Sequence, residues 1–179
     1  MFEKRGYAHT TTAQVADRAG VSVGSLYQYF PDKKSLIGAF FERRIHDDID
    51  LMRTVATRAV GATPLAILRI GIEEMVDLYR RNRVLYAGVM EILPLMEQTD
   101  QVRGGLERAL AMIARLVRSD ATLHRGRDPD LLALVIFHSL RTSLFQVVAR
   151  NPDDLDDPHI VEILVGGVLG FLGLPPDAR

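Results

Sequence analysis

Residues 10–30 read TTTAQVADRAGVSVGSLYQYF, and this stretch decides how the rest of the chain is interpreted. Thr11 is followed three residues later by Gln14, a spacing at which each side chain can satisfy an unpaired backbone N–H at the start of a helix. Gly20 can adopt the left-handed conformation that is favoured at a helix C-terminus, and Ser22 can cap a second helix. The stretch therefore predicts two short helices joined by a turn.

The second of these helices has two different faces. Val23, Leu26 and Phe30 follow at i, i+3 and i+7, which predicts one buried face. The opposite face carries small, hydroxyl, amide and phenol groups and not the Lys and Glu of an ordinary solvated helix: Gly24, Ser25, Gln28 and Tyr29. So short a helix depends on packing for its stability. Its outer face suits the major groove of DNA.

The wider pattern resembles a known family. The residues that carry the resemblance are Gly6-Tyr7, Thr11-Thr12, Val15-Ala16, Ala19-Gly20-Val21-Ser22, Gly24-Ser25-Leu26-Tyr27-Gln28-Tyr29-Phe30 and Lys33. In type and spacing they resemble the DNA-binding domain of the tetracycline-repressor (TetR) family of bacterial transcription regulators. The resemblance covers roughly the first 45 residues, beyond which only length and helical character are similar. Family members carry a whole helix before the Gly-Tyr pair, so we expect residues upstream of Met1.

The resemblance implies a set of DNA contacts. Thr12, Tyr27, Tyr29 and Lys33 are expected on phosphates, whereas Ser25 and Gln28 are expected to reach base edges. The complete predicted DNA-binding set is Thr11, Thr12, Gln14, Ser22, Gly24, Ser25, Tyr27, Gln28, Tyr29 and Lys33.

The remainder of the chain predicts an all-α fold. We expect a DNA-binding domain over 1–45, with its helix-turn-helix at 11–30, and a helical ligand-binding and dimerisation domain over 46–179. A long helix from Asp32 to Arg58 would join them, because apolar residues recur along it at helical spacing. Further helices are predicted at 64–81, 84–93 after an Asn82 cap, 102–118, 129–150 and 158–173, with a loop at 119–127.

Composition narrows the class of protein. The chain has 22 basic and 23 acidic residues, and residues 1–45 hold seven basic against four acidic ones, a net charge of +3 on the predicted DNA-binding end. A basic end on an acidic body is typical when one end meets phosphate.

The absence of cysteine excludes disulfides and thiolate metal sites and fits a reducing cytoplasm. The charged Met1 region predicts no signal peptide, and the apolar run 163–174 is too short to span a bilayer.

Two predictions concern the second domain. The helices at 129–150 and 158–173 are apolar on more than one face, which predicts a homodimer interface that includes Phe145, Gly166 and Gly170. The middle of the chain is rich in thioethers and phenols, which suits a small hydrophobic effector. The predicted lining is Met75, Tyr79, Tyr86, Met90, Met96, Met112, Leu116, Phe137, His138 and Arg141, beside a break at Pro94. For His138 and Arg141 an interface or a satisfied buried pair remains the alternative, and for the others an ordinary core.

Catalytic and metal patterns are weak. Gly20-Val21-Ser22-Val23-Gly24 matches the G-x-S-x-G nucleophile pattern, but that chemistry needs a strand before the serine, and here a helix precedes it. Glu42, His46 and Asp50 could share a helix face, yet a single-helix cluster leaves most coordination positions unfilled. We predict no enzyme activity, no metal and no cofactor.

The leading hypothesis is a ligand-responsive transcription regulator, usually a repressor, that binds double-stranded operator DNA as a homodimer and has no membrane partner. The alternative is a helical small-molecule-binding or enzymatic bundle with a vestigial helix-turn-helix. The recognition face separates the two, because no acidic residue occurs between Asp17 and Asp32.

Overall fold

A computed structural model of the chain describes residues 9–39, 55, 57, 59–89 and 100–178, and within these ranges the regular structure is helical, with no strand. The predicted all-α class is confirmed. The helices, in chain order, are α1 (Thr12–Ala19), α2 (Val23–Tyr29), α3 (Pro64–Arg81), α4 (Arg83–Val89), α5 (Asp100–Arg118), α6 (Ala121–His124), α7 (Pro129–Arg150) and α8 (Ile160–Leu172), with a 3₁₀ turn over Pro152–Asp156.

The two N-terminal helices are held by the predicted caps. Thr11 Oγ1 accepts from Gln14 N at 3.2 Å, and Thr11 N donates to Gln14 Oε1 at 3.0 Å. Gly20 ends α1 at φ 70°, where a side chain would be strained. Ser22 Oγ accepts from Ser25 N at 3.0 Å and so starts α2. These local bonds fix the turn between the helices before any tertiary contact is considered.

The structure describes only part of the predicted linking helix. Asp32 Oδ1 accepts from Ser35 N at 2.7 Å, which starts a helical stretch over 33–39 as expected. Ile37, on the predicted apolar stripe, is fully buried. The remainder of the prediction to Arg58 lies largely outside the described residues, as do Pro94 and the Glu42–His46–Asp50 cluster.

From α3 onward, the described helices share one buried core. α7 contributes Ile136, Leu140 and Leu144 to a continuous buried core, against which α3 places Ile72 and Val76. α8 covers the other side of this core with Leu164, Val165, Val168, Leu169 and Leu172. Thr63 and Asp128 cap α3 and α7, each followed by a proline at the first helical position, as predicted.

Two local predictions are wrong. The predicted loop at 119–127 contains the one-turn helix α6, which Asp120 caps through the Thr122 N–H. α8 begins at Ile160 and not at Pro158, after an unpredicted 3₁₀ turn. The Asn82 side chain donates to Leu78 O at 2.9 Å, which closes α3.

Helix α7 is long and apolar enough, by length and composition, to cross a bilayer, with a mean hydropathy of 1.7 over its most apolar window, 44% of which is buried inside the protein. Eight α7 residues lie in the protein core, so its apolar character has a structural explanation, and a single helix of this kind is weak evidence for a membrane span.

Candidate DNA interface and effector site

The outer face of α2 lies at the protein surface. Ser25, Gln28 and Tyr29 are all exposed, and Tyr29 is the most open, at 79%. The predicted inner face is less complete than expected: Leu26 is buried and Phe30 is half-buried, but Val23 is 40% exposed. α2 therefore buries mainly Leu26 and presents its polar groups outward.

Several predicted DNA contacts also shape the backbone. Thr11 and Gln14 form the capping box of α1, and Ser22 caps α2. The Ser22 and Ser25 hydroxyls lie 2.8 Å apart, which orients Ser25 at the first turn of α2. A Cβ on Gly24 would meet Ser22 Oγ at 3.8 Å, so the protein itself leaves this surface open to close approach.

One bond joins the two helices on the exposed side. Thr12 Oγ1 and Tyr27 Oη lie 3.1 Å apart. Both groups are expected on phosphates, and each retains capacity for a further hydrogen bond, because a hydroxyl offers one donor and two acceptor positions. Lys33 lies half-buried at the start of the helical stretch 33–39. The structure thus places the predicted DNA-binding residues on α1, on α2, at their N-caps and at the start of the helical stretch 33–39.

The predicted effector residues fall into an aromatic cluster and its surroundings. The Tyr79 and Tyr86 rings stack at 4.3 Å between centroids, and Phe145 meets them edge-on at 5.2 and 5.6 Å. Burial raises the pKa of the Tyr79 phenol far above its ordinary value of 10.0, the neighbouring Tyr86 adds to the rise, and the charge of Arg141 lowers it. Tyr79, Tyr86 and Arg141 are therefore neighbours, as a shared site requires.

The other predicted lining residues are more scattered. Met75 and Leu116 are half-buried against the core, and Met112 is half-buried on α5. Phe137 is buried and lies edge-on to His138 at 5.5 Å. Met90 and Met96 lie outside the described residues.

Phe145 requires a correction. The sequence predicts it at a dimer interface, yet it is 5% exposed and packs against Tyr79 and Tyr86 within the same chain. A side chain enclosed by its own protomer offers no surface to a partner. Gly166 and Gly170 are exposed, and a Cβ at either would meet nothing within 4 Å.

Two groups of arginines are not identified from the sequence. Arg83, the first residue of α4, pairs with Asp156 at 2.7 Å and Asp153 at 3.2 Å, while Arg80 Nε donates to Leu155 O at 2.8 Å. Their partners lie 70 or more residues away in the 3₁₀ turn, so spacing along the chain gives no signal.

The second arginine group closes α8. Arg127 donates to the carbonyls of Phe171 and Leu172, and Arg125 donates to that of Gly173 at 2.8 Å. These bonds satisfy backbone carbonyls at a helix end, where cationic side chains are favoured. The polar segment 119–127 therefore positions α8.

The described residues also form a cleft of about 310 Å³ between α3 and α8. Its lining is Leu65, Ala66, Leu68, Arg69, Ile72, Val165, Val168, Leu169 and Ala178. None of the predicted effector residues that the structure describes lines this cleft.

Sequence comparison finds a family match at the N-terminal end of the chain. Residues 1–40 match the sequence model of the bacterial regulatory proteins, tetR family. The transcriptional repressor KstR of Mycobacterium tuberculosis is 37% identical over 82 residues, which are 46% of this chain and 36% of that protein. The transcriptional regulator TtgR of Pseudomonas putida is 34% identical over 68 residues, 38% of this chain and 32% of that protein. The matches thus span about a third of the length of these relatives.

Structural comparison extends over nearly the whole chain. The fatty acid degradation regulator FadR of Bacillus halodurans aligns with a TM-score of 0.65 at 20% identity, over 99% of this chain and 94% of that one. FadR of Bacillus subtilis, solved in complex with stearoyl-CoA, aligns with a TM-score of 0.66 at 20% identity, over 96% and 91%. At this identity the likeness establishes the fold. Together with the helix-turn-helix of α1 and α2, the match over residues 1–40 shows that the N-terminal end of the chain is similar to the DNA-binding end of the bacterial regulatory proteins of the tetR family.

Proposed function

We propose that the protein is a ligand-responsive transcription regulator that binds a pseudo-palindromic operator as a homodimer in the cytoplasm and is released from it by a small hydrophobic effector. The observation that carries this proposal is the exposed face of α2. Ser25, Gln28 and Tyr29 stand at the surface of a seven-residue helix held by its caps and by α1. No acidic side chain lies between Asp17 and Asp32 to repel phosphate.

The contacts divide by chemistry. Gln28 offers an amide that can pair with adenine in the major groove, and Ser25 lies one turn before it. Thr12, Tyr27, Tyr29 and Lys33 supply hydroxyl and ammonium donors suited to phosphate oxygens. On this division, Gln28 and Ser25 set sequence preference, whereas the other four set affinity and orientation.

A dimer follows from the shortness of α2 and from the surface of α7 and α8. One seven-residue helix reads few base pairs, so useful specificity implies two copies on a symmetric site. Leu131 on α7 and Ile163 on α8 are 57% and 64% exposed, and Gly166 and Gly170 lie on the exposed side of α8. Apolar and small side chains of this kind permit close packing of two copies through a self-complementary contact.

The effector site is proposed around the Tyr79–Tyr86–Phe145 cluster, between α3, α4 and α7. The cluster supplies aromatic surface, and Arg141 adds a cation near the Tyr79 phenol. An apolar molecule with one or two polar groups matches this lining. The ligand in the Bacillus subtilis FadR complex, stearoyl-CoA, is an acyl thioester whose hydrocarbon chain belongs to the same broad class of apolar ligands.

Release from DNA requires that the effector bind the DNA-incompetent arrangement more tightly than the competent one. α4 is a suitable lever, because Tyr86 lies in the aromatic cluster and Arg83 anchors the other end of α4 to the 3₁₀ turn between α7 and α8. Because Arg83 holds one end of α4 in place, a ligand that displaces Tyr86 would move the other end of α4 relative to it. We expect a coupling free energy of about 1–3 kcal/mol between effector and DNA.

The proposal is tested with purified protein and labelled DNA fragments from its own genomic neighbourhood. Fluorescence anisotropy should find at least one fragment bound more tightly than scrambled DNA of equal length, at two protomers per site. Apolar metabolites added to that complex should include one that lowers the affinity. Equal affinity for all fragments, with no response to any ligand, would favour the helical-bundle alternative.

A further inference from the structure

The cleft between α3 and α8 has a lining that suits a small molecule, and it is separate from the proposed effector site. Its walls are aliphatic: α3 contributes Leu65, Leu68 and Ile72, and α8 contributes Val165, Val168 and Leu169. Its volume of about 310 Å³ is at the lower end of the range of about 300–1,000 Å³ that is usual for ligand pockets. The cleft therefore suits a short aliphatic chain and is too small for a large cofactor.

Arg69 is the charged member of the described lining. It lies four residues after Leu65 and three before Ile72, hence on the same face of α3. Its guanidinium forms a two-pronged ion pair with Glu162 of α8, at 2.6 Å from Nη1 to Oε1 and 3.0 Å from Nη2 to Oε2. Glu73 adds a weaker attraction to the same cation. The pair joins α3 to α8, the two helices that form the cleft, and Arg69 belongs to the cleft lining.

We propose that this cleft binds an aliphatic molecule with a single anionic head group, and that the head group replaces Glu162 on Arg69. The Arg69 fork matches a carboxylate geometrically, as its bond to Glu162 already demonstrates. The hydrocarbon chain takes the apolar interior behind it. This site goes beyond the proposed effector site, since it uses none of Tyr79, Tyr86 or Arg141.

The exchange is feasible because Glu162 is held only at the surface. Its side chain is 60% exposed, so after release the carboxylate is rehydrated with little further movement. Exposed ion pairs contribute little net stability, and the bound state keeps one carboxylate on Arg69 throughout. The chain then supplies the affinity, about fourfold for each methylene group that becomes buried.

Octanoate and 1-octanol are suitable probes, because they share a chain and differ in the charge of the head group. Calorimetric titration of the full chain below micellar concentrations should detect octanoate. Glu162→Gln should strengthen octanoate binding about two- to sixfold, since it removes the competing carboxylate, and should leave 1-octanol unchanged. Arg69→Gln should weaken octanoate and again leave 1-octanol unchanged.

A variant that fills the cleft provides an independent test of the site. Ala66→Leu, within α3, should weaken both probes, whereas Ala111→Leu, at an exposed position of α5, should weaken neither. Circular dichroism checks that each variant folds. If octanoate binds but its affinity is the same in Glu162→Gln, Arg69→Gln and Ala66→Leu as in the wild type, it binds elsewhere and the proposed site is wrong. The proposed regulation by an effector would be unaffected by that result. Absence of octanoate binding to both the wild type and Glu162→Gln would also overturn the proposal.

Discussion

The hydroxyl of Thr12 and the phenol oxygen of Tyr27 lie 3.1 Å apart and join the first turn of α1 to the middle of α2. Both groups face solvent on the side proposed to meet DNA. The hydrogen bond holds the two hydroxyl groups in a fixed relative position. We therefore expect them to act as a unit in DNA binding.

We predict that Thr12→Val and Tyr27→Phe each weaken operator binding and that the double variant loses less than the sum of the two losses. The coupling should be about 0.5–1.5 kcal/mol, the usual range for one hydrogen bond. Anisotropy titrations of all four proteins complete the cycle. Strictly additive losses would mean that the two hydroxyls contact DNA independently.

Gly170→Leu should convert the proposed dimer to a monomer. Gly170 is exposed and a Cβ there meets nothing within 4 Å among the described residues, so we expect the larger side chain to overlap with a second copy. Sedimentation velocity measures the mass. Gly71→Ala, also in a helix and with open space around its Cβ, serves as the control for altered helix propensity. An unchanged sedimentation coefficient for Gly170→Leu would remove this residue from the interface.

The role of Tyr79 is best tested with Tyr79→Phe. Tyr79→Ala would remove a ring that is 4% exposed and stacked on Tyr86, with an expected loss of about 3–5 kcal/mol in the free energy of unfolding. Tyr79→Phe keeps the ring and removes the phenol. We expect it to weaken the response to an effector and to leave ligand-free DNA affinity intact. Loss of DNA affinity without ligand would identify Tyr79 as structural core alone.

The same phenol predicts a pH dependence at the alkaline end. Burial raises the pKa of Tyr79 in the folded protein, so above about pH 10 the unfolded chain releases a proton that the folded chain retains. Stability should then fall with rising pH, by up to about 1.4 kcal/mol per pH unit from this group. Urea unfolding between pH 9 and about 11 should show a shallower decline for Tyr79→Phe. Parallel declines would contradict the assignment.

Asp156 predicts a dependence at the acidic end. The Arg83 guanidinium holds the pKa of this carboxyl below its ordinary value of 3.8, so its contribution to stability is present above that value and is lost as the pH falls through the lower folded value. Asp156→Asn should be less stable than the wild type at neutral pH and equal to it at about pH 2. The midpoint of urea unfolding at both pH values measures this. A difference that persists in acid would point to packing and not charge.

The sequence predicts features set by neighbouring residues better than features set by the fold. The Thr11–Gln14 capping box and the Asp128-Pro129 start of α7 depend on residues within one turn, and both are confirmed. The prediction for Phe145 names the wrong surface because α7 is apolar almost all round, and periodicity cannot tell an inner face from an interface. The Arg69–Glu162 pair joins residues 93 positions apart, and only the packing of α3 on α8 reveals it.

Gln28 is proposed to read a base, and Lys33 is proposed to meet a phosphate. This assignment is tested most directly by operator affinity as a function of salt, with Lys34→Ala, at the exposed neighbouring position, as the control. Lys33→Ala should weaken all DNA sequences alike and reduce the slope of log affinity against log salt by about 1. Gln28→Ala should keep the slope, lose about 1–3 kcal/mol on the operator and relax preference at one base pair per half-site. A Lys33→Ala slope equal to that of the wild type, together with unchanged base preference in Gln28→Ala, would contradict the account.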